Sequence, residues 1–155
     1  MQNRREMIQH SAVVAGLLAG AGLLPAAAQA QQAVNRGAFD AKTMDELLKA
    51  LGLSSKPVES KEVTLTGPDI AENGAVVPLG VASSAAGVKR LLLLVEKNPN
   101  ILAGVFEVSD AVEPNMSTRV KMGQTSNVYA VAITGDNKVL FAQKEVKVTL
   151  GGCGG

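Results

Sequence analysis

From Pro57 to Leu150 the chain is a succession of short runs rich in Val, Leu, Ile and Thr, interrupted by Gly, Pro, Asn and Asp at intervals of roughly eight to twelve residues. Chains broken up this often cannot build long helices, and the spacing matches strands joined by tight turns. Candidate strands fall at Glu62–Thr66, Val76–Val81, Lys89–Lys97, Leu102–Val108, Thr118–Met122, Ser126–Thr134 and Val139–Leu150. Gly67-Pro68-Asp69, Asn98-Pro99-Asn100 and Gly135-Asp136-Asn137 supply turn chemistry between them. The pattern predicts a mainly β protein, an immunoglobulin-like antiparallel β-sandwich. A connected sheet packed on one helix is the alternative that pattern alone leaves open, and the strand order is not fixed by it.

Two of the runs differ from the rest. Leu91-Leu92-Leu93-Leu94-Val95 and Val128-Tyr129-Ala130-Val131-Ala132-Ile133 are apolar on both faces, whereas Glu145-Val146-Lys147-Val148-Thr149-Leu150 alternates. The outer face of an antiparallel sandwich is normally polar, so a two-sided apolar strand must be covered, either by a helix of the same chain or by another chain. One helix is available. Met44, Leu47, Leu48 and Leu51 lie at i, i+3, i+4 and i+7, Thr43 and Glu46 form a T-x-x-E capping box, and Gly52 stands where a left-handed terminal residue belongs. Before it, Gln31 to Ala38 is small and polar and reads as a mobile lead-in.

The first thirty residues have the form of a cleavable export signal. Arg4 and Arg5 give a basic start, Ala12 to Leu24 is apolar but short for a membrane anchor, and Ala28-Gln29-Ala30 is a small-x-small cleavage site. Paired arginines before a weakly hydrophobic stretch predict the twin-arginine route, although Asn3 and Met7-Ile8-Gln9 depart from its usual flanking residues. Cleavage would remove Arg4, Arg5, Glu6 and His10. Of the fifteen basic and fourteen acidic residues, thirteen of each would remain. A near-neutral chain offers no basic field for nucleic acid or an anionic membrane. It would also contain no His, no Trp and a single Cys, so a His-based triad and a His or multi-Cys metal site are excluded. No catalytic residues, resident metal or cofactor are expected.

The chemistry-bearing feature is the terminus, Gly151-Gly152-Cys153-Gly154-Gly155. Glycines gain too little from packing to offset the entropy of ordering, so the segment is expected to be a flexible arm. At about 3.5 Å per extended residue, three residues carry the Cys153 sulfur roughly 10 Å past the last strand. An unpaired thiol in an exported protein needs a use, because oxidising compartments tend to pair thiols. No Lys, Arg or helix N-terminus accompanies Cys153 in the sequence, so activation of the thiol falls to partner proteins.

With this terminus, and with Glu96-Lys97-Asn98-Pro99-Asn100, Lys121-Met122-Gly123-Gln124-Thr125-Ser126-Asn127-Val128 and Lys144-Glu145-Val146-Lys147-Val148-Thr149-Leu150, the sequence resembles the SoxY family of sulfur-carrying subunits. The resemblance implies a periplasmic cycle of thiosulfate oxidation. Thiosulfate is joined oxidatively to Cys153 by the haem enzyme SoxXA, SoxB releases sulfate by hydrolysis, and SoxCD, where present, oxidises the remaining sulfur. It also implies a heterodimer with SoxZ, for which the two-sided apolar strands are candidate contacts. Cys153 would be the covalent attachment site, Gly151, Gly152, Gly154 and Gly155 the source of mobility, and sulfur adducts on Cys153 would stand in place of a cofactor.

Two other readings compete. A ubiquitin-like carrier would hold sulfur as a thiocarboxylate on Gly155, although such proteins are shorter and cytosolic. A structural immunoglobulin-like module would be tethered to one partner by a disulfide through Cys153. The expected organisation is a signal over 1–30, a helical segment over 31–56, a β-sandwich over 57–150 and an arm over 151–155.

Overall fold

The computed structural model describes residues 36–149. The signal segment with Arg4 and Arg5, the residues up to Asn35, and Leu150 with the Gly151–Gly155 arm lie outside them. Two short helices, α1 (Arg36–Asp40) and α2 (Met44–Ala50), precede nine strands. These are β1 (Val58–Glu59), β2 (Val63–Thr66), β3 (Ile70–Ala71), β4 (Val77–Ser83), β5 (Val88–Val95), β6 (Leu102–Glu107), β7 (Asn115–Val120), β8 (Ser126–Thr134) and β9 (Val139–Val148).

α2 begins where its cap predicts. The Thr43 hydroxyl accepts the Glu46 amide at 3.2 Å, while the Glu46 carboxylate reaches one residue further back than a reciprocal box requires and accepts the Lys42 amide at 2.8 Å. Gly52, at φ +73°, turns the chain out of the helix. α1 corrects the expectation of a mobile lead-in reaching Ala38. Its five residues carry no helical period, and it is held by tertiary contact, with Ala38 buried and Phe39 packed on the same cluster as α2.

The strands form two sheets. The larger runs β1-β9-β8-β5-β6, with β3 also on β9, and the smaller runs β2-β4-β7. β5, β8 and β9 pair antiparallel in long register, Leu92 opposite Val131 and Val131 opposite Phe141. The result is a sandwich with a third, helical layer on the outer face of the large sheet, which combines the two architectures the sequence left open.

That third layer answers the question of the two-sided strands. Leu92, Leu94, Val131 and Ile133 face the helices and pack with Ala38, Leu47, Leu48 and Leu53. Their neighbours Leu91, Leu93, Val95, Val128, Ala130 and Ala132 face the small sheet and pack with Val77, Leu79, Val81 and Met122. Leu91 to Val95 are all fully buried within this one chain, so they are unavailable to a partner, and the expectation that they contact SoxZ is corrected. Each such leucine contributes about 2 kcal/mol by its removal from water.

The β8–β9 turn keeps its predicted residues. Asn137 adopts φ 61°, a left-handed conformation that Asn tolerates better than most residues. Lys138, together with the Thr134 hydroxyl, holds the Asp136 carboxyl down at about 2.

Leu94→Ala should lower stability by about 3 kcal/mol, the usual cost of emptying a core leucine site, and Ile70→Ala, at a residue 56% exposed, by less than about 0.5 kcal/mol. Urea unfolding of both variants measures the contrast.

Candidate functional site

Cys153, Gly151, Gly152, Gly154 and Gly155 lie outside the described residues, so the site is approached through the structure from which they emerge. β9 reaches the end of the sandwich with Val146 fully buried and Val148 packed at the edge of the inter-sheet core. Its last residues are held on two sides. On one, β3 pairs parallel with it, Ile70 beside Lys147 and Ala71 beside Val148. The Lys147 amide donates to Asp69 O at 2.9 Å and the Thr149 amide to Ala71 O at 3.1 Å. The Thr149 hydroxyl also lies within hydrogen-bonding distance of Ala71 O and Glu72 O, at 3.4 and 3.3 Å. On the other side the Val148 amide donates to the Thr125 hydroxyl oxygen at 2.9 Å.

β3 is placed by the turn that the sequence marks as Gly67-Pro68-Asp69. A Cβ on Gly67 would fall 2.6 Å from Leu79 Cδ2, so any other residue here would have to displace that buried side chain. From there the chain crosses to the large sheet, where the Lys144 ammonium donates to Gly67 O at 2.7 Å and pairs with Asp69 at 2.8 Å. The Lys144 ammonium holds the Asp69 carboxyl below the usual carboxylate range.

The same end of the sandwich gathers the segments singled out in the sequence. The Asn98 side-chain amide donates to Lys121 O at 2.7 Å, the Lys97 amide to Ser126 Oγ at 3.0 Å, and the Asn127 side chain to Glu96 at 2.8 Å. Ser126 and Asn127 pair with Val146 and Glu145. Thus 96–100, 121–128 and 144–149 form one connected patch, and the chain leaves this patch toward Cys153. Thr125, Lys144 and Thr149 stand in the segments the sequence singled out and Asp69 in a predicted turn, but their contacts with one another were not legible, because their partners are distant along the chain.

A concavity of about 360 Å³ opens on the helical side between Met44, Pro57, Glu96, Ile101, Tyr129 and Phe141. Tyr129 and Phe141 meet there with ring centroids 6.1 Å apart. Burial, with the Glu96 carboxylate nearby, raises the Tyr129 hydroxyl above its ordinary value. Among the described residues no three His, Cys, Asp or Glu side chains are grouped to hold a metal.

Fold and site together define an immunoglobulin-like sandwich whose one thiol lies in a terminal extension beyond a tightly tied last strand. The model of the sulfur oxidation protein SoxY family matches residues 48–153, and the chain belongs to that family. The matched stretch ends on Cys153 itself. Among solved structures, the sulfur carrier protein SoxY from Chlorobium limicola f thiosulfatophilum is 34% identical, with a TM-score of 0.62 over 70% of this chain and 97% of that one. The fold is shared more distantly with superoxide reductases. The neelaredoxin of Ignicoccus hospitalis has a TM-score of 0.50 at 18% identity, over 56% of this chain and 79% of that one. A putative superoxide reductase of Thermotoga maritima has a TM-score of 0.51 at 13% identity, over 62% and 95%. No curated protein matches.

Because its folded pKa is depressed, the Asp69 carboxylate contributes stability that is present above its unfolded pKa and lost as pH falls through its folded one. A carboxyl-resonance titration should place the Asp69 midpoint below the ordinary aspartate value. Lys144→Met should move it back up.

Proposed function

We propose that this protein carries sulfur covalently on Cys153 during thiosulfate oxidation and presents it in turn to separate enzymes. The observation that carries the reading is that the family match runs through the sandwich and ends on the chain's single thiol. In the loading step the Cys153 S–H and the terminal sulfur of thiosulfate form an S–S bond. One proton and two electrons leave, and the electrons pass to the haem enzyme SoxXA. In the release step water attacks the sulfone sulfur of the adduct, sulfate departs, and a persulfide remains on Cys153. SoxB is the hydrolase of this scheme, and SoxCD, where present, oxidises the persulfide sulfur before SoxB acts again.

In this scheme the chain contributes a thiol, a slim glycine backbone that enters a partner's active site, and a stable body. It catalyses no step. The signal-like segment with Arg4 and Arg5 would bring it to the periplasm, by the twin-arginine route if it crosses folded, with SoxZ as its heterodimeric partner. No helix among the described residues is long and apolar enough to cross a membrane. The disulfide-tethered module is the reading to be separated from this one, since it uses the same cysteine.

Intact and C-terminal peptide mass spectrometry on protein recovered without reductant from thiosulfate-metabolising cells tests the proposal. Persulfide or thiosulfonate adducts on Cys153 are expected. A single stoichiometric disulfide to one protein would replace the carrier with the tether. Cys153→Ser should abolish thiosulfate-dependent adducts altogether, whereas a thiocarboxylate on Gly155 would survive that change.

A further inference from the structure

The helical layer covers Leu92, Leu94, Val131 and Ile133 on the outer face of the large sheet, and Tyr129 and Phe141 are only half-buried at its margin. Beyond them along β9, Gln143 and Glu145 are exposed. Glu96 extends the same face across β8, where its amide donates to Asn127 O at 3.0 Å and its carboxylate accepts the Asn127 side-chain amide at 2.8 Å. The 360 Å³ cleft lies at this margin, with Met44, Pro57 and Ile101 as apolar walls and the Tyr129 and Phe141 rings, inclined at 57°, as an aromatic floor. Glu96 lines it and enters no ion pair among the described residues. The one cation among the described lining residues, Lys42, is engaged elsewhere, its ammonium donating to Pro99 O at 2.7 Å and to the Asn100 side-chain oxygen.

A slot that is apolar along its walls, aromatic below and negative at one end selects its guest. An acidic side chain is repelled, and a purely apolar one would cover Glu96 and leave its charge unmet. A lysine ammonium is a strongly hydrated point charge. The planar guanidinium of arginine stacks on an aromatic face and forks onto a carboxylate while its stem lies on apolar surface. We propose that this cleft seats an arginine side chain of a partner protein, stacked on Tyr129 and paired with Glu96. The guest is part of a protein because the cleft opens onto the exposed face of β9, where Gln143 and Glu145 offer further contact and about 13 Å of strand leads from Glu145 to Thr149. A protein anchored here stands beside the strand that runs on toward Cys153. The inference goes beyond the carrier reading and stands whatever Cys153 holds.

Amide spectra of the isotope-labelled protein, titrated with N-acetylarginine methylamide and with its neutral isostere N-acetylcitrulline methylamide at matched ionic strength, test the seat. The Asn127, Tyr129 and Gln143 amides should shift saturably with the arginine compound alone. Its affinity should fall about fivefold in Glu96→Gln and stay unchanged in Glu113→Gln, which removes an exposed carboxylate from the loop between β6 and β7. Glu96 is itself exposed, so its variants keep the fold. Equal binding of the two compounds, or binding of neither, overturns the proposal. The partner is tested with the photo-reactive residue p-benzoylphenylalanine in place of Gln143, irradiated in thiosulfate-metabolising cells. A cross-link to a peptide of another protein, beside an arginine, is expected. Changing that arginine to glutamate should abolish the cross-link, and Glu96→Arg in this chain should restore it. A cross-link to a second copy of this chain, or one indifferent to the arginine, overturns the proposal. So does binding of the arginine compound with no protein cross-linked, since the cleft would then serve a free guanidinium compound. None of these outcomes touches the carrier reading, which is decided by the adducts on Cys153.

Discussion

The structure depends on two central strands that are apolar on both faces. β5 and β8 lie side by side with alternate residues committed to different cores, one shared with α1 and α2 and one shared with the small sheet. Neither face can be left open, because strands such as Leu91–Val95 in contact with water would forfeit most of the burial that drives folding. The helices are therefore part of the fold, although α2 has seven residues and α1 five, too few to be stable alone. The sandwich needs the helices as cover, and the helices need the sandwich as support.

The end of the molecule that leads to Cys153 is organised by polar contacts more than by burial. A crossover from the small sheet is fixed by Gly67 against Leu79 and by the Lys144 ammonium over Gly67 O and Asp69. That crossover delivers β3 to the flank of β9. On the opposite flank, the Asn98–Lys121, Lys97–Ser126 and Thr125–Val148 bonds join three loops and strands into one block. Exposed ion pairs of this kind add little stability singly, and their role here is to fix geometry.

Much of this was legible in the sequence, and what was not has a common cause. Hydrophobic period and turn residues located seven strands to within a few residues, and Thr43, Glu46 and Gly52 bounded α2, because these signals are local. β1 and β3 are two residues each, with Ala71 alone buried among the four, and are strands only because β9 lies beside them. α1 contains Gly37 and no apolar stripe, and its helical form is imposed by packing of Ala38 and Phe39. The sequence showed that β5 and β8 need covering without showing by what, since the identity of a neighbour is a tertiary fact. Cys153 stood out as the one thiol, and Thr125 stood in a singled-out segment, but nothing local showed that its hydroxyl accepts an amide 23 residues away.

β1 and β3 occupy the same flank of β9, one near its start at Leu140 and Phe141 and the other near its end at Lys147 and Val148. A free flank on the last strand would be a template on which a second molecule could add its own strand. With both ends of that flank taken and the Lys144 side chain turned over the crossover between them, this edge is closed to sheet extension. A second molecule adding a strand to this sheet would have to do so at its other edge, β6.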